Sequence, residues 1–435
     1  MNYMLYCNRK NTRLHFLEEI QMKGNLHISE HRYVPDGNRN IEKHFQRMNR
    51  APYTYETVFD GNPGWSGDRE GRALLAFLCH YHISGRKIPC MEQMMRELPA
   101  RTNPCLFFGD VPAAGNANEQ QLSGHNWYLR ALCDYAVTFR EPLALRALKS
   151  TFENLYLPAL PLYDAYPLER SSSEGGVEGN ICGNAHGWTL STDVGCAFMC
   201  VDGVARYYAL TGDERACVFL EKTIDIFLRA DMVARGFQTH TSLTCLRGML
   251  SFYETTRQET YLQAVRREFD RYLRYGMTLT YENFNWFGRE DTWTEPCAVV
   301  DSLLLAVDIY RITGEQQYRT LARRIWANGL QFCQRDNGGA GTNKCVTEKQ
   351  PVLRISGYEA SQCCTMRYAE ALLCWSKNRE MFTFDPFSPV VLESDGRRFS
   401  DDRLIVLTGG EVLPIFSCNT VPKETIETLE LKVLF

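Results

Sequence analysis

Apolar residues recur at helical spacing over most of this chain. Between Arg72 and Ser84, the residues Leu74, Leu75, Leu78 and Tyr81 fall on one helical face. The same rhythm predicts helices at 124–139, 143–154, 195–211, 214–230, 241–256, 259–275, 297–313, 315–333 and 363–377. Alternation with period two is weak until the end of the chain. There Val390-Val391-Leu392, Arg403-Leu404-Ile405-Val406-Leu407 and Leu429-Glu430-Leu431-Lys432-Val433 read as strands. Residues 1–60 are polar and irregular, and their four histidines, His15, His27, His31 and His44, read as surface or capping groups.

A weak repeat runs through the helical part. Cys196-Ala197 is followed by Tyr207-Tyr208-Ala209-Leu210-Thr211-Gly212-Asp213-Glu214. Cys297-Ala298 is followed by Ile309-Tyr310-Arg311-Ile312-Thr313-Gly314-Glu315-Gln316. A degenerate third copy spans Phe252 to Glu259. Each describes a long helix closed by a glycine or polar turn, with acidic residues opening the next helix, as helix-end chemistry requires. Stacked helical hairpins bury their apolar faces only against one another. They can form an open solenoid or close into an α/α toroid, and the irregular loops rich in Trp and Gly favour a toroid with a functional mouth.

Length and charge narrow the function. The 435 residues are ample for a large core, and a net charge of −4 argues against a nucleic-acid partner. No run of 18 uncharged apolar residues exists, so no membrane span is expected. Met1–Ile20 carries Arg9, Lys10, Arg13, Glu18 and Glu19, so no apolar leader is expected there. The 17 cysteines, mostly inside helical patterns, suit buried free thiols in a reducing cytoplasm. The P-loop, the Rossmann glycine motif and His-Glu-x-x-His are all missing from the sequence.

Chemistry concentrates between residues 282 and 364. Glu295-x-Cys297 and the adjacent pair Cys363-Cys364 offer one carboxylate and three thiols, enough for a tetrahedral zinc site. Adjacent cysteines rarely bridge each other, so the pair reads as two ligands, or as a ligand and a core thiol. Upstream, Glu282 lies among Tyr281, Phe284 and Trp286, whose apolar bulk would raise its pKa. Glu290 is the fallback carboxylate. Trp65, Trp127, Trp286 and Trp293 are candidates for stacking on sugar faces, although an aromatic so placed is more often core. His186, in Gly183-Asn184-Ala185-His186-Gly187-Trp188, is a further loop candidate.

Glu295-Pro296-Cys297, Trp326-Ala327-Asn328-Gly329-Leu330 and Cys363-Cys364 together resemble the β-L-arabinofuranosidases of glycoside hydrolase family 127. Gly64-Trp65-Ser66-Gly67, Ser123-Gly124-His125 and Thr239-His240 extend the resemblance over roughly residues 60–378. It implies an (α/α)6 catalytic barrel over 61–378, preceded by an extension at 1–60 that packs on the barrel and followed by a small β segment at 379–435. It implies zinc held by Glu295, Cys297, Cys363 and Cys364. It implies Cys363 as nucleophile, Glu282 as acid/base in Tyr281-Glu282-Asn283-Phe284, and sugar contacts from His125 and His240, with Trp65 and Trp286 as stacking candidates. The expected reaction is retaining hydrolysis of a furanoside such as β-L-arabinofuranose within an oligosaccharide or glycoside. Two rivals stay open: a non-catalytic carbohydrate-binding barrel with a structural zinc, and another toroid enzyme such as an unsaturated uronyl hydrolase or a lyase.

Overall fold

A computed structural model describes residues 37–382, apart from 61–63, 171–178, 279, 331–332, 348–351 and 354–357, together with strands at 404–408, 411–415 and 431–434. The main helices are α1 (Gly37–Arg47), α2 (Asp68–Ser84), α3 (Pro89–Arg101), α4 (Glu119–Phe139), α5 (Pro142–Thr151) and α6 (Cys200–Thr211). They continue as α7 (Glu214–Arg229), α8 (Thr239–Thr256), α9 (Glu259–Tyr275), α10 (Pro296–Thr313), α11 (Gln316–Arg324) and α12 (Cys364–Lys377). The even-numbered helices pack in sequence, α2 on α4, α4 on α6, and so on, and α12 returns to α2. That closes a ring, so the toroid rather than the solenoid is the architecture.

Odd-numbered helices form the outer layer, each against an inner neighbour. Their apolar residues make a single stripe: α9 buries Leu262, Ala264, Val265, Phe269 and Tyr272 and exposes its charged face. The inner helices are buried nearly all round, as in α4 from Glu119 to Cys133. The repeat units end as their sequence directs. Gly212 and Gly314 take the left-handed conformation that stops α6 and α10. Asp213 then caps α7 by accepting from the Arg215 N–H.

Three features differ from the expectation. Helix α1 falls within the extension expected to pack on the barrel, and it packs on α12 as the outer partner of the sixth inner helix, a part of the ring itself. His44 is fully buried there, not a surface group. Helix α3 is also unforeseen. The expected helices at 143–154 and 315–333 run from α-helix into π-helical turns at Phe152–Tyr156 and Ile325–Leu330.

The described strands are few. β1 (Ala117–Asn118) runs parallel to β3 (Trp188–Ser191), which pairs antiparallel with β2 (Ile181–Ala185). A second sheet has the order β4 (Val352–Leu353), β7 (Leu431–Leu434), β5 (Leu404–Thr408), β6 (Glu411–Ile415), all antiparallel. Residues 404–408 and 431–434 fall on two predicted strands; Val390–Leu392 lies outside the described residues. No described helix is long and apolar enough to cross a membrane.

Candidate active site

Inner-helix N-termini gather at one mouth of the ring. Glu295 is the N-cap residue of α10, Pro296 takes the first helical position and Cys297 follows. Cys363 is the N-cap residue of α12 and Cys364 its first residue. The two helix starts abut. One donor atom each from Glu295, Cys297, Cys363 and Cys364 lies within 4.8 Å of all the others. The Cys297 and Cys364 sulfurs are 3.5 Å apart, as are those of Cys363 and Cys364. A tetrahedral zinc with Zn–S bonds of ~2.3 Å separates its thiolates by about 3.8 Å, so this donor set fits a metal ion in both type and spacing.

A second ring of groups holds the donors. The Arg72 guanidinium donates to the Cys297 sulfur at 3.4 Å and is itself held by Asp68 at 2.9 Å. His240 Nδ1 is 2.9 Å from Glu295 Oε1, and its Nε2 is 3.4 Å from Asp301. With the Asn285 amide oriented to satisfy its neighbours, it donates to Glu295 Oε2 at 3.2 Å and accepts from the Trp293 indole at 3.0 Å. The Glu295 N–H donates to Asn283 Oδ1 at 2.7 Å. Both carboxylate oxygens of Glu295 are therefore oriented from behind, the arrangement that fixes a ligand's direction.

The electrostatics single out one thiol. Hydrogen bonds from Cys297 and Cys364 hold the Cys363 thiol well below the ordinary range; burial opposes them, and the Arg72 charge assists. Burial pushes Cys297 and Cys364 well up. For His240, burial works against the imidazolium, but the carboxylates of Glu295 and Asp301 outweigh it and hold the pKa above its ordinary value.

A cavity of about 380 Å³ opens over this cluster. Cys363, Cys364, Glu295, His240 and Trp65 all line it, so these expected site residues meet in one place. Cys297 lies enclosed behind them, and the three others expected to act on the sugar do not line the cavity. Glu282 is fully buried outside the cavity wall; its oxygens accept from Thr294 (3.1 Å), Asn343 (2.8 Å) and Thr280 (2.9 Å). Burial raises its pKa to about 7, as anticipated, but by protein packing rather than at a pocket wall. Its neighbours Asn283 and Thr294 flank Glu295, which makes it a support of the ligand loop. His125 is likewise enclosed: Nδ1 pairs with the Gln121 carbonyl at 2.8 Å, and Nε2 accepts from the Phe108 N–H at 3.1 Å. Its ring packs beneath Gly67, where a Cβ would come within 2.9 Å. Trp286 is fully buried and edge-on to Trp293; Trp293, half-buried, is the one that reaches the cavity. His186 and Glu290 are exposed and off the cavity.

Other wall residues were not foreseen: Asp68, Arg69, Asp193 and Gln238. Asp193 carried a readable signal. It precedes Cys196-Ala197 by three residues, as Glu295 precedes Cys297-Ala298 by two, so the two clearer repeat copies each place a carboxylate at an inner-helix start. Burial, then the Glu295 charge, push the Asp193 carboxyl up to about 7.

No protein-family model matches the chain, and no curated protein does. Solved structures do. A GH127 β-L-arabinofuranosidase from Geobacillus stearothermophilus T6 superposes with a TM-score of 0.51 at 13% identity, over 79% of this chain and 60% of that one. A sugar epimerase from a ruminal bacterium gives 0.51 at 12% identity, over 83% and 99%. A polysaccharide lyase gives 0.52 at 8%, over 80% and 99%. The chain spans 59% and 60% of two glycoside hydrolases it matches. At these identities the likeness shows the fold, a mainly α toroid.

Proposed function

We propose that this chain is a retaining glycoside hydrolase acting on a furanosidic sugar such as β-L-arabinofuranose, with Cys363 as nucleophile. The observation that carries the reading is a Glu-Cys-Cys-Cys cluster opening onto a cavity of sugar size, with Cys363 at its exposed edge. Glu295, Cys297, Cys363 and Cys364 would hold one zinc ion. Bound there, zinc supplies a positive centre that keeps the coordinating thiols deprotonated. The chain's own groups support the same state: the Cys297 and Cys364 contacts and Arg72 favour the Cys363 thiolate. Trp65 and Trp293, half-buried at the wall, offer faces for a sugar ring. His240, tied to Glu295 and Asp301, fixes the ligand carboxylate and presents its edge to the cavity. A thiolate attacking the anomeric carbon gives a covalent glycosyl thioether with inversion, which water then opens with a second inversion, for net retention.

The test is turnover of aryl β-L-arabinofuranosides and related aryl glycosides by metal-loaded protein, against Cys363→Ser. The reading expects about one zinc per chain, and loss of turnover in the variant. Turnover that survives both chelation and Cys363→Ser would assign the cavity to another toroid chemistry. One observation favours a carbohydrate-binding barrel with a structural metal: Glu282 is fully buried and does not line the cavity. That rival expects full zinc, sugar binding and no turnover.

A further inference from the structure

We propose that Asp193 is the acid/base carboxyl of this site, the role expected of Glu282. The inference rests on the hydrolase reading above. Among the described residues three carboxylates line the cavity: Asp68, Asp193 and Glu295. Glu295 belongs to the four-donor cluster, and both its oxygens are engaged by His240 and Asn285. Asp68 is held by the Arg72 guanidinium at 2.9 Å. Asp193 is 3% exposed, and its Oδ1 has no hydrogen-bond partner among the described residues. A buried carboxylate oxygen without a partner is costly unless a ligand completes it. Asp193 also lines the cavity that holds Cys363.

The backbone fixes the place of Asp193 on the wall. The Asp193 N–H donates to Ser191 Oγ at 3.2 Å, and its carbonyl accepts from the Cys196 N–H at 3.0 Å. Gly195 follows at φ +91°, packed so closely on Phe237 that a Cβ would lie 2.5 Å from the ring. The Gly179 N–H acts on the carboxylate as a backbone donor. Gly179 is anchored in turn, its carbonyl accepting from Trp65 Nε1 at 3.2 Å and Gln120 Nε2 at 2.9 Å. One carboxylate, one stacking indole and one loop are thus built as a unit on the wall.

The balanced reaction uses each group twice. In the first step the Cys363 sulfur bonds to the anomeric carbon, and the bond to the leaving oxygen breaks. That oxygen keeps the electron pair and takes the Asp193 proton. In the second step the Asp193 carboxylate takes a proton from water, whose oxygen bonds to the anomeric carbon. The C–S bond breaks, its electrons return to Cys363, and Asp193 is protonated again.

The experiment compares full-length, zinc-loaded wild type with Asp193→Ala, Asp193→Asn and Glu282→Gln, each checked for metal content and circular dichroism. Substrates are a dinitrophenyl and an alkyl glycoside of the same sugar, with and without azide. Both Asp193 variants should lose ~10²–10⁴-fold on the alkyl glycoside and far less in the first step on the dinitrophenyl one. They should accumulate a glycosyl adduct on Cys363, and azide should restore turnover of Asp193→Ala with glycosyl azide as product. Glu282→Gln should show neither adduct nor rescue. Equal losses on both leaving groups without rescue, or rescue confined to Glu282→Gln, overturn the assignment and leave the hydrolase reading intact. A wild type inert on every glycoside overturns the hydrolase reading and Asp193's role with it.

Discussion

Cys363 and Cys297 differ by their surroundings, not their chemistry. Cys363 is half-buried at the cavity edge; Cys297 is fully enclosed against Arg72. Cys297→Ser replaces a soft donor by a poor one at the closed side of the cluster. Zinc per chain is expected to fall well below one by metal analysis, with the thermal midpoint falling as bound metal no longer stabilises the native state. Equal zinc content in the variant would remove Cys297 from the ligand set. His125 and Trp65 separate in the same way. His125→Ala leaves the buried Phe108 N–H without an acceptor and opens a void, at a cost of about 2–4 kcal/mol, with KM unchanged. Trp65→Ala, at the wall, is expected to raise KM about tenfold, or about 1.4 kcal/mol, with little change in the denaturation midpoint. A KM effect from His125→Ala with stability intact would return that residue to the site.

Between helices, the tightest approaches rest on glycine. At Gly248 in α8 an added Cβ would lie 2.4 Å from the Asp202 nitrogen of α6, so the two backbones would have to part. Gly248→Ala is therefore expected to cost about 3 kcal/mol, although alanine favours an isolated helix by about 1 kcal/mol. Gly212→Ala meets no atom within 4 Å and forces only a left-handed alanine, for about 1–2 kcal/mol. Urea midpoints of the two variants check the order; equal shifts would argue against close helix contact. Neither close approach is visible in a periodic pattern. What the pattern does show is every inner helix and most outer ones, because burial of one face imposes the spacing. It fails at α1, whose only apolar anchors are Ile41 and Phe45, and at α3, where Pro89 and Pro99 read as breaks. It also cannot distinguish a carboxylate facing a cavity from one facing packed protein. Glu282 and Asp193 both lie in segments that lead into an inner helix, and only the folded chain buries one in packed protein and sets the other on the wall.

The ring as a whole has a seam. Its sixth pair joins α1 to α12, residues 37–47 to residues 364–377, and α12 also packs on α2. His44 on α1 sits at the junction of all three helices. Its Nε2–H donates to the Thr365 carbonyl of α12 at 2.7 Å, which leaves Nδ1 to accept from His80 Nε2 of α2 at 2.8 Å. Both rings are buried and neutral. Burial lowers the His44 pKa to about 4, with the Thr365 carbonyl and Glu359 opposing and Arg47 assisting; burial also takes His80 well down, with His44 and Arg86 assisting. The unfolded chain titrates His44 near 6.5. Between about pH 6.5 and 4 the unfolded state binds the extra proton, so this contribution is present above pH 6.5 and falls as the pH drops. Buried Glu70 and Glu282, both raised to about 7 chiefly by burial, act oppositely: they stay protonated when folded, and their contribution falls as pH rises from about 4.5 to 7. The raw pH profile mixes both signs, so the difference between wild type and His44→Gln is the decisive quantity. Glutamine can donate to Thr365 and accept from His80 without titrating. From pH 7 to pH 5 the wild type is expected to lose about 2 kcal/mol relative to that variant, read from urea midpoints with unchanged slope. Parallel profiles would mean that the seam does not keep His44 neutral, and that ring closure is indifferent to acid at this junction.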